Sequence, residues 1–268
     1  MPQMSCQAIA TDPHAGDHVV QLYEDERLLA SAIGPFLSTG LARWDGVVVV
    51  ATTPNWMLLA SGLQDRGIDV AAAIEQRQLV VRDATDLLTT FMVDGMPDAA
   101  RFHDRVGGLV REMVARYPRV RIYGEMVNLL WVEGQVPAAI RVEELWNDLA
   151  KTHAFSLFCS YRMDGFDRAL YQGTLQDLCR THSHTFPVED SDRLDRAIDR
   201  ALGDILGTSQ AHALRASLEA SRRSSTQMPP SQALLFWLRE QMPTMADAVL
   251  VRARQYYRND PLPAGAAA

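Results

Sequence analysis

Apolar and polar positions fall into blocks along this chain, and the blocks switch between two periods. His18-Val-Val-Gln-Leu-Tyr23 and Gly46-Val-Val-Val-Val-Ala51 are short apolar runs, which predict strands. Four consecutive valines call for burial on both faces, hence a central strand of a parallel sheet. Leu79-Val-Val81 predicts a third strand, ending at Arg82-Asp83. Val120-Arg-Ile-Tyr123 and Phe155 to Tyr161 predict two more. Between these runs the period is helical. Leu28, Leu29, Ile33, Phe36 and Leu37 share one side of a helix, with Gly34-Pro35 as a kink point. Thr53-Pro54 opens a helix to Gly67, with Thr as N-cap and Pro at the first position. Shorter helices are predicted from Asp69 to Gln76 and from Asp83, and a long one from Pro97-Asp98 to Tyr117. Phe91 to Pro97 reads as a break. Gly107-Gly108 weakens the long helix, and its usual reason is close packing against another backbone.

The stretch from Val120 to Tyr161 is a strand, an acid at its end, two helical patterns carrying Trp131 and Trp146, and a strand again. That is the βαβ grammar of a parallel sheet, in which ligands gather at the carboxyl ends of strands. After Asp164 the pattern is helical, with no further convincing strand. The expected organisation is therefore a flexible arm at 1–16, an α/β domain at 17–187, a helical appendage at 188–260 and a disordered tail at 261–268. Arg222 to Pro230 reads as a loop within the appendage.

Composition narrows the function classes. The 268 residues carry a net charge of -7, which argues against direct nucleic-acid binding as the main activity. Three cysteines, Cys6, Cys159 and Cys179, make no disulfide framework. No apolar run is long enough to span a bilayer and no signal-peptide pattern opens the chain, so a soluble cytoplasmic protein without a membrane partner is expected.

Several segments together resemble the MEDS family, a sensory domain of methanogens, methylotrophs and a dichloromethane-responsive regulator. They are His18-x4-Tyr23-Glu-Asp, Gly46-Val-Val-Val-Val-Ala-Thr, Phe91-Met-Val-Asp-Gly-x-Pro-Asp, Gly124-Glu-Met-Val-x-Leu-Leu-Trp131, and Leu145-Trp-Asn147 with the strand to Tyr161. The resemblance spans about 17–187 and implies a RecA/KaiC-like α/β fold that senses a small molecule for signal transduction. It also implies regulatory partners such as kinases or DNA-binding domains. The fold class expected is thus α/β, a mainly parallel sheet flanked by helices, with a C-terminal all-helical appendage.

A RecA-like sheet usually carries G-x-x-x-x-G-K-[ST] after its first strand. Here the position reads Leu22-Tyr-Glu-Asp-Glu-Arg27, without glycine cradle or lysine, so nucleotide hydrolysis is not expected. Glu125 follows a buried strand and precedes an apolar helix. It serves either as a ligand anchor or as an acid at a helix N-terminus. Asn128 shares its helical side. Tyr23 ends the first strand; His18 begins it with opposite parity. The expected ligand pocket is Tyr23, Thr52, Glu125, Asn128, Trp131 and Tyr161, with His18. Both tryptophans, Trp131 and Trp146, are more at home in a core than in a ligand cage. Glu143 and Asn147 are neighbours on an amphipathic helix that lacks a matching histidine, and Cys159 reads as a small hydrophobe. Cys179-x2-His182-x-His184 is metal-like but lacks a fourth ligand, so no metal or cofactor is expected there. Phe236, Trp237, Met242 and Met245 suit a homodimer or partner interface.

The reading is a non-enzymatic, ligand-responsive regulatory protein acting on a signalling or transcription partner. One alternative is a metal or redox sensor, or an enzyme, using Cys179, His182 and His184. Another is a ligand-free adaptor acting through the appendage.

Overall fold

The computed structural model describes residues 11–24, 26–186, 191–221 and 230–260. The expected tail, most of the arm, the loop after Ser221 and the residues around 187–190 lie outside the described residues. Contacts divide the chain into two units. One runs to Arg162 and includes Arg180–Phe186; the other holds Met163–Cys179 and the chain after Phe186.

Six parallel strands form the sheet of the first unit. They are β1 (His18–Tyr23), β2 (Gly46–Ala51), β3 (Leu79–Asp83), β6 (Val120–Gly124), β7 (Ser156–Arg162) and β8 (His184–Phe186), in the order β3-β2-β6-β7-β1-β8. The valines of β2 are buried without exception, as a strand paired on both edges and covered on both faces requires. β1 pairs with β7 in the register His18 to Leu157 and with β8 in the register Val19 to His184. The last of these strands is not anticipated from the sequence. Three residues are too few to show a period, and β8 exists through its ladder with β1 and the mutual hydrogen bonds of Ser183 and His18.

Helices α1 (Glu26–Ala42), α2 (Thr53–Asp65) and α3 (Val70–Glu75) lie against one sheet face. Leu29, Ile33, Phe36 and Leu37 of α1 join Val19, Tyr23, Val47, Val49, Tyr123 and Phe158 in one core. Alternation sends His18, Cys159 and Tyr161 to the other face. That face meets α7 (Val136–Ala150), which follows α4 (Ala84–Thr89), α5 (Ala99–Arg116) and α6 (Met126–Val132). Trp146 of α7 is buried edge-on to Phe102 of α5 and near Phe155.

Acids start the helices as the sequence predicts. Asp69, Asp83 and Asp98 each accept a hydrogen bond from a first-turn N–H of α3, α4 and α5. Two local expectations change. Phe91–Pro97 is not a plain break: Met92–Val93 (β4) and Met96–Pro97 (β5) make a small antiparallel hairpin, turned by Asp94 and Gly95 at φ 48° and 78°. Gly107 meets side chains, not backbone; an added methyl would lie 3.4 Å from Leu149 of α7.

The second unit is helical, as expected of the appendage, and takes residues 163–179 besides. The division falls within α8 (Thr174–Thr181). Leu194, Ile198, Ala201 and Leu202 of α9 (Ser191–Leu206) form a buried stripe. α9 packs on α10 (Thr208–Ser221) and on α12 (Pro243–Asn259), which also packs on α11 (Pro230–Gln241).

Candidate functional site

Two buried polar networks sit on the sheet of the first unit. The first occupies the carboxyl ends of the strands. Glu125 is held one residue past β6 and is almost fully buried. One carboxylate oxygen accepts from the Thr52 backbone N–H at 2.6 Å, the other from Asn55 Nδ2 at 2.9 Å. Tyr123 donates to it at a longer 3.5 Å and also bonds Ser160 at 2.9 Å. Burial raises the Glu125 carboxyl above its usual range, against the hydrogen bonds from Thr52 and Asn55. The N-cap of α2 is Thr52, one residue before the Thr53 expected from the sequence; it makes no side-chain cap of its own, so Glu125, one residue past β6, supplies the acceptor that the helix start lacks. Beside it, Asn128 donates to the Tyr23 hydroxyl at 3.2 Å and accepts from the Arg162 N–H at 2.8 Å, tying β1 to β7.

The second network lies on the opposite face, between α7 and the β1–β7 pair. Glu143 is fully buried there. Its Oε2 lies 3.2 Å from His18 Nε2 and 3.5 Å from Cys159 Sγ. Its Oε1 lies 3.2 Å from His182 Nε2 and accepts from the Tyr161 hydroxyl at 2.7 Å. His18 Nε2 is 3.4 Å from Cys159 Sγ, and the two imidazole rings are 4.1 Å apart between centroids. Asn147, one turn along α7, contacts His18 Nδ1 at 2.9 Å and donates to the Thr181 carbonyl at 2.8 Å.

The electrostatics of this cluster are those of a dry site. Burial would raise Glu143, but the neighbouring imidazoles, His182 first and then His18, outweigh it and hold the carboxyl well below its usual range. Burial, with His182 beside it, lowers the His18 imidazole. Burial, then the Glu143 charge, raises both the Cys159 thiol and the Tyr161 hydroxyl. Among the described residues, His18, Glu143, Cys159 and His182 place one ligand atom each within 4.8 Å of the others, an arrangement able to hold a metal ion.

The family model for MEDS, the methanogen/methylotroph, DcmR sensory domain, matches residues 17–183. This chain belongs to the MEDS family. A comparison with curated proteins finds no match. Both buried networks fall inside the matched span, within this chain's MEDS domain.

The seven residues expected to share one pocket divide between the two faces. Tyr23, Thr52, Glu125 and Asn128 come together at the strand ends. His18 and Tyr161 join instead in the Glu143 cluster, because residues 18 and 161 alternate onto the α7 face. Trp131 stands edge-on to Tyr161 at 5.5 Å and contacts that side. The Cys179, His182 and His184 triplet is likewise not one site. His182 belongs to the Glu143 cluster, His184 lies 3.6 Å from Asp17, and Cys179 falls in the helical unit.

The members not expected from the sequence include Glu143, Asn147 and Cys159 in one network and Asn55, Tyr123 and Ser160 in the other. Glu143 did leave a signal. It lies four residues after Ala139 and three before Trp146, so it stands on the apolar stripe of α7. A glutamate on a buried stripe needs partners. Cys159 left none, since a strand cysteine packs as a small hydrophobe.

Proposed function

We propose that this protein is a signal-sensing regulator whose MEDS domain binds a small molecule and relays the event to a signalling or transcription partner, without hydrolysing nucleotide. The observation that supports this most is the network at the strand ends. In a parallel sheet that is where ligands bind. Here Glu125 holds Thr52 and Asn55, and Asn128 holds Tyr23 and Arg162, at the ends of four strands. A ligand that competes for Asn128 or Glu125 exchanges internal bonds for its own. It thereby shifts the start of α2 or the ends of β1 and β7, which makes binding a mechanical event. The sequence after β1 has no phosphate cradle, which supports a ligand other than nucleotide.

The helical unit is the proposed output. Met242 is exposed at 41%, while Phe236, Trp237 and Met245 are half-buried, a composition that suits contact with a partner or a second copy.

Native mass spectrometry of the protein isolated from its own cells tests the reading. The expected spectrum carries a non-covalent small-molecule adduct that Asn128→Ala weakens or removes. ATP turnover above the buffer rate, abolished by Glu125→Gln, would overturn it.

A further inference from the structure

The Glu143 cluster has a feature that hydrogen bonding alone does not satisfy. Asn147 Nδ2 donates to the Thr181 carbonyl, which can only accept, so the amide is fixed with Oδ1 toward His18. The His18 Nδ1 must then carry its proton, donated to Oδ1. A neutral His18 therefore presents the lone pair of Nε2 to the Glu143 carboxylate 3.2 Å away. That nitrogen, the carboxylate and Cys159 Sγ then have the single thiol proton to share among them, and a cation held by all three satisfies each.

We propose that His18, Glu143, Cys159 and His182 bind one zinc ion in a closed tetrahedral site. The spacing fits. Zn–N and Zn–O bonds of about 2.0–2.2 Å and a Zn–S bond of about 2.3 Å imply ligand-to-ligand edges of about 3.3–3.7 Å. His18 Nε2, Glu143 Oε2 and Cys159 Sγ stand 3.2, 3.4 and 3.5 Å apart, and His182 Nε2 lies 3.2 Å from the other carboxylate oxygen, Oε1, with one ligand atom of each residue within 4.8 Å of the rest. The supporting contacts are those of a metal site as well. Asn147 fixes the tautomer of His18, Thr181 Oγ1 lies 3.1 Å from His182 Nδ1, and Tyr161 orients the carboxylate. Mixed imidazole, carboxylate and thiolate donors suit zinc. Four protein ligands leave no open position, so the ion holds structure and does not activate water. It ties β1, α7, β7 and the segment entering β8, which are distant in sequence. On binding, the Cys159 thiol releases its proton to solvent. This site is separate from the strand-end network and stands or falls without it.

The test uses the full chain, produced in zinc-supplemented medium and freed of loose metal by gel filtration. Elemental analysis is expected to give one zinc per chain. X-ray absorption of the same sample is expected to show a single sulfur at about 2.3 Å among nitrogen and oxygen scatterers. Cys159→Ser removes the sulfur shell, whereas the double variant Cys6→Ser, Cys179→Ser keeps it. Zinc content near zero overturns the proposal, as does a sulfur shell that survives Cys159→Ser. Should Cys159→Ser not fold, the wild-type scattering decides: no sulfur, or more than one, refutes the assignment.

Discussion

At the residue scale, the first unit is marked by charges placed where charges are costly. Arg121 is buried in β6, donating to Asp45 at 2.7 Å, to Asp12 at 2.9 Å and to the carbonyls of Thr11 and Phe36. It passes so close to α1 that a methyl group on Gly40 would lie 2.6 Å from its Cδ. Gly40→Ala is therefore expected to lose about 1–3 kcal/mol by overpacking. Arg121→Met should lose about 3–5 kcal/mol, because it strands the buried Asp45 carboxylate. Urea denaturation of the two variants reads both, and equal midpoints for wild type and Arg121→Met would show the pair to be dispensable. Acid acts through the Glu143 cluster. Unfolded His18 binds its proton near 6.5 and folded His18 only at lower pH; unfolded Glu143 does so near 4.5 and folded Glu143 lower still. In both intervals the unfolded chain binds more protons, so stability falls on acidification. With chelator present, the melting temperature is expected to decline once pH drops below 6.5 and more steeply below 4.5. A melting temperature that rises across that range would contradict the assigned charge states.

At the element scale, the decisive contacts run between elements rather than along them. The α2 start depends on Glu125, 73 positions away in sequence from Thr52. Removing that acceptor leaves buried donors unmatched, so Glu125→Ala should cost about 1–3 kcal/mol and loosen the first turn of α2. Hydrogen exchange at the Thr52 amide checks this, with faster exchange expected in the variant and unchanged protection fatal to the trans-capping argument. Strands and helices with a clear period were legible in the sequence. The valines of β2 and the acid caps at Asp69, Asp83 and Asp98 show themselves locally because their causes are local. The hairpin at Asp94-Gly95 was legible in principle and read as a break, since strands of two residues show no alternation. β8 was not legible, because what makes it a strand is β1.

At the scale of the whole molecule, a sensory α/β unit and a helical unit share one acidic chain. With a net charge of -7, the chain offers no general attraction to a phosphate backbone. In a gel-shift assay at about 150 mM salt the protein alone is expected to leave duplex DNA unretarded. Retardation that weakens steeply with added salt would place nucleic acid among its direct partners.

What the sequence determined by itself was the parallel sheet, the order of helices between its strands, the family and the missing phosphate cradle. Each of these is written in short-range periods and turn residues, or in motifs that recur in order. Tertiary structure alone decided which polar residues meet. Alternation along β1 and β7 sent Tyr23 and Tyr161 to opposite faces, and the ladder between those strands set Cys159 beside His18. α7 then brought Glu143 onto them, and the chain entering β8 added His182. Four groups scattered from residue 18 to residue 182 became one cluster because sheet register, not sequence spacing, fixes which side chains share a face.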